Sequence, residues 1–221
     1  FTNNPKDKFV NFMKKRIKEI VKTSKEIDEL SYEHDYKLVT KILFLFNVIS
    51  TINSKYSKYP FNLHKLDKWS LEHIHAQNSE DIKKKEDRVA LLESQKKYVD
   101  DILLNKIQEL INKDTIDDEF NILENEIFKV YSDDVDIHTI DNLALLSSRD
   151  NSALNNSIFP AKRDKIKVLD KEGSFIPICT KNVFLKYYSK DVKEALKWNI
   201  EDRKYYLTEI KKTLNKYLGD E

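Results

Sequence analysis

A segment rich in residues that could do chemistry runs from Trp69 to Gln77 and reads Trp-Ser-Leu-Glu-His-Ile-His-Ala-Gln. Glu72, His73 and His75 fall within four positions of it, although the whole chain contains only five histidines. If the segment is a strand, its alternation places the carboxylate on one side and the two imidazoles on the other, so at least one ring can face a pocket. A hydrogen-bonded histidine pair on a half-buried strand is the alternative interpretation of the same residues.

A second polar segment follows much later in the chain, beginning at Ile140. A basic group with Lys162 and Arg163 closes it, and before that group it holds four asparagines within fifteen residues, namely Asn142, Asn151, Asn155 and Asn156. Asparagine at this density is also typical of turns and helix caps, which is a sufficient interpretation of this segment alone. An interpretation in terms of chemistry requires the two segments to come together in the fold.

Taken together, the two segments resemble the HNH, or His-Me finger, nucleases. In that family, an acidic residue and a histidine on the first strand of a hairpin are followed by one asparagine on the second strand and another on the next helix. The matching residues in this chain are Glu72, His73, Asn142 and Asn151. The resemblance implies that Asn142 orients the histidine ring through its backbone or its amide, which makes His73 and Asn142 the predicted catalytic residues.

The resemblance is closer still to the C-terminal nuclease domain of GmrSD-type, or type IV, restriction enzymes. Matching pieces occur in the same order from about residue 38 to residue 180; they are LFLFNV at 43–48, YPF at 59–61, WSLEHIH at 69–75, DNLALL at 141–146, Asn151 with Asn155 and Asn156, Phe159 with Lys162 and Arg163, and FIPI at 175–178. This chain has glutamate where many such sites have aspartate, and Ala76 and Gln77 where a proline can stand. The long interval between His73 and Asn142 implies a helical insertion at about 79–131.

Hydrolysis of a phosphodiester needs a base that activates water and a divalent cation that offsets charge on the phosphate oxygens. A neutral imidazole can act as the base near pH 7, and His73 is predicted to do so. Mg²⁺ prefers oxygen ligands and keeps several waters. Glu72 and Asn151 are therefore the predicted metal ligands, with Mg²⁺ or Mn²⁺ as the expected cofactor and double-stranded DNA as the expected partner.

Lys162 and Arg163 are predicted to hold a DNA phosphate, because residues 149–171 contain six basic and three acidic side chains, a local excess of three. His75 is predicted to contact phosphate as well, to support the site from behind, or to serve the packing, and these alternatives stay open. The other three histidines lack such neighbours and are predicted to be surface or packing residues: His34, His64 and His138.

The composition predicts a mainly helical protein. The chain has 221 residues, enough to bury a large core, and it contains two glycines, four prolines and 35% charged residues, so it encodes few tight turns. The single cysteine, Cys179, excludes an internal disulfide and a cysteine-based zinc knuckle. A net charge of +1 leaves DNA and protein partners open, since local clustering of charge decides binding to DNA.

Apolar periodicity predicts most of the elements that must position these residues. Helices are predicted at about 5–23, 36–54, 79–113, 115–131, 160–168, 182–188 and 191–218. Three other stretches break the helical pattern: an extended segment at 143–146, a polar loop at 147–157 and a short strand at 174–179. We therefore predict a mainly α fold with a small embedded ββα motif, made of an N-terminal helical segment at 1–62, a nuclease core at 63–168 and a C-terminal helical segment at 169–221.

The sequence thus predicts a metal-dependent DNA endonuclease that restricts foreign or modified DNA in bacteria. Two alternatives remain: an inactive finger retained for DNA binding or protein interaction, and a helical scaffold whose asparagines only cap helices. The longest apolar run, at 42–49, is too short to cross a bilayer and no signal peptide is visible, so we expect a cytoplasmic protein. The chain opens on Phe1, which suggests part of something longer, and the resemblance implies a missing N-terminal sensor or nucleotide-using module.

Overall fold

Helices dominate the structure, a computed structural model that describes residues 5–54, 57–75, 82–131, 136–154, 156–189 and 195–218. These helices are α1 (Pro5–Val21), α2 (Tyr32–Asn53), α3 (Phe61–His64), α4 (Lys85–Gln95), α5 (Asp101–Ile111), α6 (Asp117–Tyr131), α7 (Ser148–Leu154), α8 (Phe159–Lys171), α9 (Ile178–Phe184) and α10 (Ile200–Leu218). Two strands, β1 (Trp69–His73) and β2 (Leu143–Ser147), form one antiparallel sheet. The prediction of a mainly helical protein with a small two-stranded sheet is confirmed. None of the described helices is both long and apolar enough to cross a membrane.

The second strand, β2, lies deeper in the protein than β1. Their register pairs Trp69 with Ser147 and His73 with Leu143, and all five residues of β2 are buried. Helices α2, α7 and α9 all contact this strand. Because both faces of β2 are covered, its sequence is a continuous apolar run rather than an alternating pattern.

The main core is built around α2, whose side chains Ile42, Leu43 and Phe46 are completely buried. The helix begins at Tyr32, four residues before the predicted start, because the hydroxyl of Ser31 caps it by accepting a hydrogen bond from the amide of His34 at 3.3 Å. The early start brings the first turn of α2 up to the segment that leads into β2. Ser31 forms an isolated antiparallel bridge with Thr139 there.

Helices α4, α5 and α6 lie between β1 and β2 in the sequence and enclose a separate apolar cluster, with Leu91, Ile107, Phe120 and Ile127 among its buried members. The single helix predicted at 79–113 is wrong. Helix α4 ends at Gln95, a short 3-10 turn follows, and the carboxylate of Asp100 starts α5 by accepting a hydrogen bond from the amide of Leu103 at 2.9 Å. The N-cap at Asp100 therefore starts a second helix within a segment whose apolar periodicity predicts a single one.

Two further sequence predictions are corrected beyond β2. The stretch predicted as a polar loop at 147–157 contains α7, which the hydroxyl of Ser147 caps by accepting a hydrogen bond from the amide of Asp150 at 3.1 Å. The predicted strand at 174–179 has no regular structure through Pro177, and α9 begins at Ile178 instead. Several residues singled out above lie outside the described part of the chain: Ala76, Gln77, Asn155 and the first residues of the predicted helices at 79–113 and 191–218.

Candidate active site

The Glu72 carboxylate and the His73 imidazole project from opposite sides of strand β1. Glu72 contacts Lys162 of α8, whereas the ring of His73 lies 4.8 Å, centroid to centroid, from the ring of Tyr32 at the start of α2. Consecutive residues of a strand face opposite ways, so this separation follows from the sequence spacing. The carboxylate and the imidazole therefore occupy different local environments, although they are neighbours in the chain.

The Glu72 carboxylate forms a buried ion pair with Lys162. Their side chains are only 9% and 2% exposed, and the Lys162 ammonium contacts Oε1 of Glu72 while it also donates to the backbone oxygen of His73 at 2.7 Å. Burial raises the pKa of the Glu72 carboxyl, and the nearby ammonium offsets part of that rise. Lys162 was predicted to hold a DNA phosphate; here its charge is directed at Glu72 inside the protein, because an unpaired buried carboxylate would be costly.

The His73 imidazole is held on one edge by a second histidine. Its Nε2 lies 3.3 Å from Nδ1 of His138, and the two rings meet nearly edge to face. Burial, together with the smaller effects of the charges of Lys162 and His138, lowers the pKa of His73 to about 3. The ring is therefore neutral at pH 7, as a general base must be, and a pKa this far below 7 makes it a weaker base than an ordinary imidazole. His138 was predicted to be a surface or packing residue; its side chain is 20% exposed, and its ring packs beside that of His73.

Asn142 fixes the backbone that leaves β1. It is fully buried; its Oδ1 accepts a hydrogen bond from the amide of His75 at 2.9 Å, and its Nδ2 donates to the oxygens of His75 and Ile137 at 3.0 and 2.8 Å. Its own backbone oxygen accepts a hydrogen bond from the amide of Ile74 at 2.8 Å. Asn142 was predicted to orient the histidine ring; it instead orders the backbone just beyond His73, and the partner of the ring is His138.

A further residue, Arg203 of α10, secures the turn that carries His138 into β2. Its Nε and Nη2 donate to the two carboxylate oxygens of Asp141 at 3.0 and 2.7 Å, and Nη2 also reaches the oxygen of Asp136 and the hydroxyl of Thr139, both at 2.6 Å. The arginine side chain is 7% exposed. Nothing in the local sequence around Arg203 indicates this role, which depends on the packing of α10 against the turn.

We expect Arg203→Lys to lower the free energy of unfolding by about 1.5–3 kcal/mol, because lysine cannot reproduce the planar fork that bonds Asp141, Asp136 and Thr139 together. Equilibrium unfolding in urea measures the effect. Arg149→Lys is the matched control, since the side chain of Arg149 is 72% exposed and, among the residues that the structure describes, pairs only with its neighbour Asp150. Equal midpoints for the two variants would contradict the structural role of Arg203.

Asn151 ties α7 to the first strand. Its Nδ2 donates to the hydroxyl of Ser70 at 2.8 Å and to the oxygen of Leu71 at 3.2 Å. Within residues 57–75, 82–131 and 136–154, no hydrogen bond reaches Oδ1 of Asn151, which leaves this oxygen available to a cation. Asn151 was predicted from its type and spacing, and the structure assigns its amide nitrogen to the support of β1.

The donor atoms near Glu72 and Asn151 suit a hard cation but form no ready-made cage. Among the described residues, no group of three or more histidine, cysteine, aspartate or glutamate side chains lies close enough together to hold a metal ion. Mg²⁺ accepts a site of one carboxylate, one amide oxygen and several waters, so these two residues fit it chemically. A cation bound there would share the carboxylate with the ammonium of Lys162.

The other two predicted phosphate ligands are occupied within the protein. His75 is 6% exposed, and its ring lies 6.1 Å, centroid to centroid, from that of Phe128 in α6, which favours the packing alternative for this residue. Arg163 is half-buried and donates from Nη1 to the oxygen of Ala195 at 2.8 Å. Neither side chain presents its charge or its ring to solvent in the way that binding of a DNA backbone requires.

Comparison with protein-family models, with curated proteins and with solved structures gives no match to this chain. The side chains themselves are therefore the guide to function. The strongest arrangement in the described residues is the neutral imidazole of His73, next to a buried carboxylate on one strand and to two asparagines that order that strand.

Proposed function

We propose that this chain is a metal-dependent DNA endonuclease domain in which His73 is the general base. The observation that carries the proposal is the state of the His73 ring. It is neutral, its Nε2 faces His138, and its Nδ1 receives no hydrogen bond from any described residue. A fixed imidazole with one unoccupied lone-pair position is what abstraction of a proton from water requires.

The proposed reaction is attack of water on the phosphorus of a phosphodiester. Nδ1 of His73 accepts a proton from the water, the water oxygen forms a bond to phosphorus, and the bond from phosphorus to the leaving oxygen breaks. Lys162 holds the backbone oxygen of His73 at 2.7 Å, and Asn142 holds the next two residues, so the ring keeps its position during the transfer. Positioning of this kind lowers the activation free energy, because the base does not lose orientational freedom when it reaches the transition state.

Glu72 and Asn151 are the residues that would hold a divalent cation, Mg²⁺ or Mn²⁺. The cation would offset negative charge on the non-bridging and leaving oxygens of the phosphate. Glu72 precedes His73 in β1 and projects from the opposite side of the strand, and Asn151 lies on the helix that bonds to the same strand at Ser70 and Leu71. The two ligands thus come from adjoining elements with a common support.

The arrangement of β1, β2 and α7 supports the finer assignment to a ββα finger of the His-Me type. The helix follows β2 directly, and its Asn151 bonds to β1, so the three elements pack as a unit. Helices α4–α6, with an apolar cluster of their own, are then an insertion between the two strands. From the resemblance we extend the proposal to restriction of foreign or modified double-stranded DNA, together with an N-terminal sensor or nucleotide-using module.

A plasmid-nicking assay tests the proposal. We expect the purified chain to convert supercoiled DNA to the nicked form with Mg²⁺ or Mn²⁺, and to lose this activity when a chelator removes the metal. A preparation of His73→Ala made in the same way excludes a contaminating nuclease. No cleavage of double-stranded DNA with either metal, at protein in excess over DNA, would overturn the proposal.

One observation favours a second function, a catalytically inactive module that binds DNA. Lys162 already neutralises Glu72 inside the protein, so the carboxylate has a partner without any metal. This alternative predicts DNA binding that weakens steeply with salt, no cleavage, and unchanged binding in the variant Glu72→Gln. Metal-dependent nicking by the wild-type chain excludes it.

A further inference from the structure

Three groups from separate segments lie in a row that ends at His73. Nε2 of His73 is 3.3 Å from Nδ1 of His138, and Nε2 of His138 is 3.8 Å from Oε1 of Glu33. His73 belongs to β1, His138 to the turn before β2, and Glu33 to the first turn of α2. Each ring nitrogen in this row faces the next group, so the protonation of one member constrains the others.

The carboxylate at the end of the row acts on His138 through its charge, since 3.8 Å is too long for a hydrogen bond and the Glu33 side chain is 57% exposed. A negative charge on this side of the ring favours a proton on Nε2 of His138. A neutral imidazole carries one proton, which leaves a lone pair on Nδ1 of His138. That lone pair faces Nε2 of His73 and favours a proton there. The lone pair of His73 is then on Nδ1, the nitrogen that no described residue occupies.

We infer that His138 and Glu33 are positioning residues that fix His73 in the Nε2–H tautomer, so that Nδ1 is the nitrogen that accepts the proton from water. The inference deepens the proposed nuclease function and rests on it for the role of Nδ1. The tautomers of the two rings are a property of the folded chain, and they can be measured whether or not the protein cleaves DNA.

The backbone holds His138 in place independently of its ring. Its amide donates to a carboxylate oxygen of Asp136 at 2.8 Å, and its oxygen accepts a hydrogen bond from the amide of Tyr32, also at 2.8 Å. Its side chain is 20% exposed, so the ring is not a main part of the core. Substitutions of the ring therefore test its hydrogen bonding without removing the contacts that order the turn.

Nitrogen NMR of ring-labelled histidine gives the direct test. The chain has five histidines, and single substitutions assign their signals. At a pH of about 8, above the ordinary pKa of histidine, we expect both His73 and His138 to carry the proton on Nε2, with a coupling across the hydrogen bond between Nε2 of His73 and Nδ1 of His138. A proton on Nδ1 of either ring, or no coupling between them, would overturn the inference.

Kinetics separate a positioning role from a merely structural one. His138→Phe removes the acceptor, and we expect it to lower kcat roughly 10- to 100-fold with KM nearly unchanged, by analogy with the loss of a hydrogen-bond partner from a metal-ligating histidine. His138→Asn can keep an oxygen acceptor near the position of Nδ1, and we expect it to restore most of the lost kcat. Equal losses in the two variants, or a loss confined to KM, would overturn the positioning role.

The two proposals fail in different ways. A chain with the expected tautomers that does not cleave DNA contradicts the nuclease function and, with it, the role of Nδ1 as the base. A chain that cleaves DNA while His73 carries its proton on Nδ1 contradicts the roles of His138 and Glu33 and leaves the nuclease function standing. Glu33→Ala adds a check, because it should weaken the preference of His138 for Nε2–H without any direct contact with His73.

Discussion

Lys162→Met lowers the free energy of unfolding by about 3–5 kcal/mol, the cost of leaving one member of a buried ion pair without its partner. Methionine fills a similar volume but cannot balance the Glu72 carboxylate, which is almost fully enclosed. The variant also loses the hydrogen bond to the backbone oxygen of His73. Equilibrium unfolding in urea, followed through the fluorescence of Trp69 and Trp198, measures the change.

Two controls separate burial of charge from loss of a side chain. Lys106→Met removes an ion pair with Glu126 in which both side chains are more than 40% exposed, and we expect it to cost about 1 kcal/mol or less. The double variant Glu72→Leu with Lys162→Met removes both charges, and we expect it to recover most of the stability. A cost for Lys162→Met no greater than that for Lys106→Met would contradict the buried pair.

The pH dependence of the same variant has a definite sign. Burial raises the pKa of Glu72 above its ordinary value of 4.5, and without the opposing charge of Lys162 the folded-state pKa rises further. A carboxyl whose pKa is raised on folding favours the folded state at low pH and loses that contribution as pH rises through the folded-state pKa. The deficit of Lys162→Met should therefore be smallest in acid and grow toward neutral pH.

His73→Ala is expected to lower the rate of DNA nicking by about 10²–10⁴-fold, the usual contribution of a general base, while the affinity for DNA changes little. Single-turnover cleavage at saturating protein gives the rate, and fluorescence anisotropy with a labelled duplex gives the affinity. His34→Ala is the matched control, because the side chain of His34 is 77% exposed. Nicking by His73→Ala at the wild-type rate would show that another group is the base.

The wild-type pH profile carries independent information about the same ring. An ordinary histidine loses its neutral form as pH falls below about 6.5, whereas the pKa of His73 is lowered to about 3, so its neutral form persists. We therefore expect the rate in wild type to show no loss attributable to His73 between about pH 7 and pH 5. An inflection near 6.5 that disappears in His73→Gln would contradict burial of this imidazole.

The elements that depend on local pattern could be predicted from the sequence. The broad apolar face of α2 and the apolar run of β2 encode their own burial, and both were expected. The break between α4 and α5 was missed because no glycine or proline marks it; its only local signal is Asp100 in front of an apolar run. Capping by one side chain is too weak a pattern to outweigh apolar periodicity over a long stretch.

Side-chain types and spacing identified Glu72, His73, Asn142 and Asn151, but not what each of them touches. The partners of Glu72 and His73 are Lys162 and His138, which are 89 and 65 residues away from His73 in the chain. The spacing of residues within a short segment cannot predict contacts between residues this far apart in the chain. Lys162 is an example. In the sequence it belongs to a basic cluster typical of a phosphate site, and only the fold shows that it forms an ion pair with the Glu72 carboxylate.

The helices between β1 and β2 bear on how the chain folds. Pairing of the two strands closes a loop that contains all of α4–α6, so the sheet is a long-range contact of the kind that slows folding. Loop-closure entropy rises slowly, by about 0.6 kcal/mol for each doubling of loop length. The apolar cluster that packs α4–α6 together is completed by Ile158 and Ala161 from beyond β2. This packing shortens the effective loop, so the sheet closes a long connection at small entropic cost.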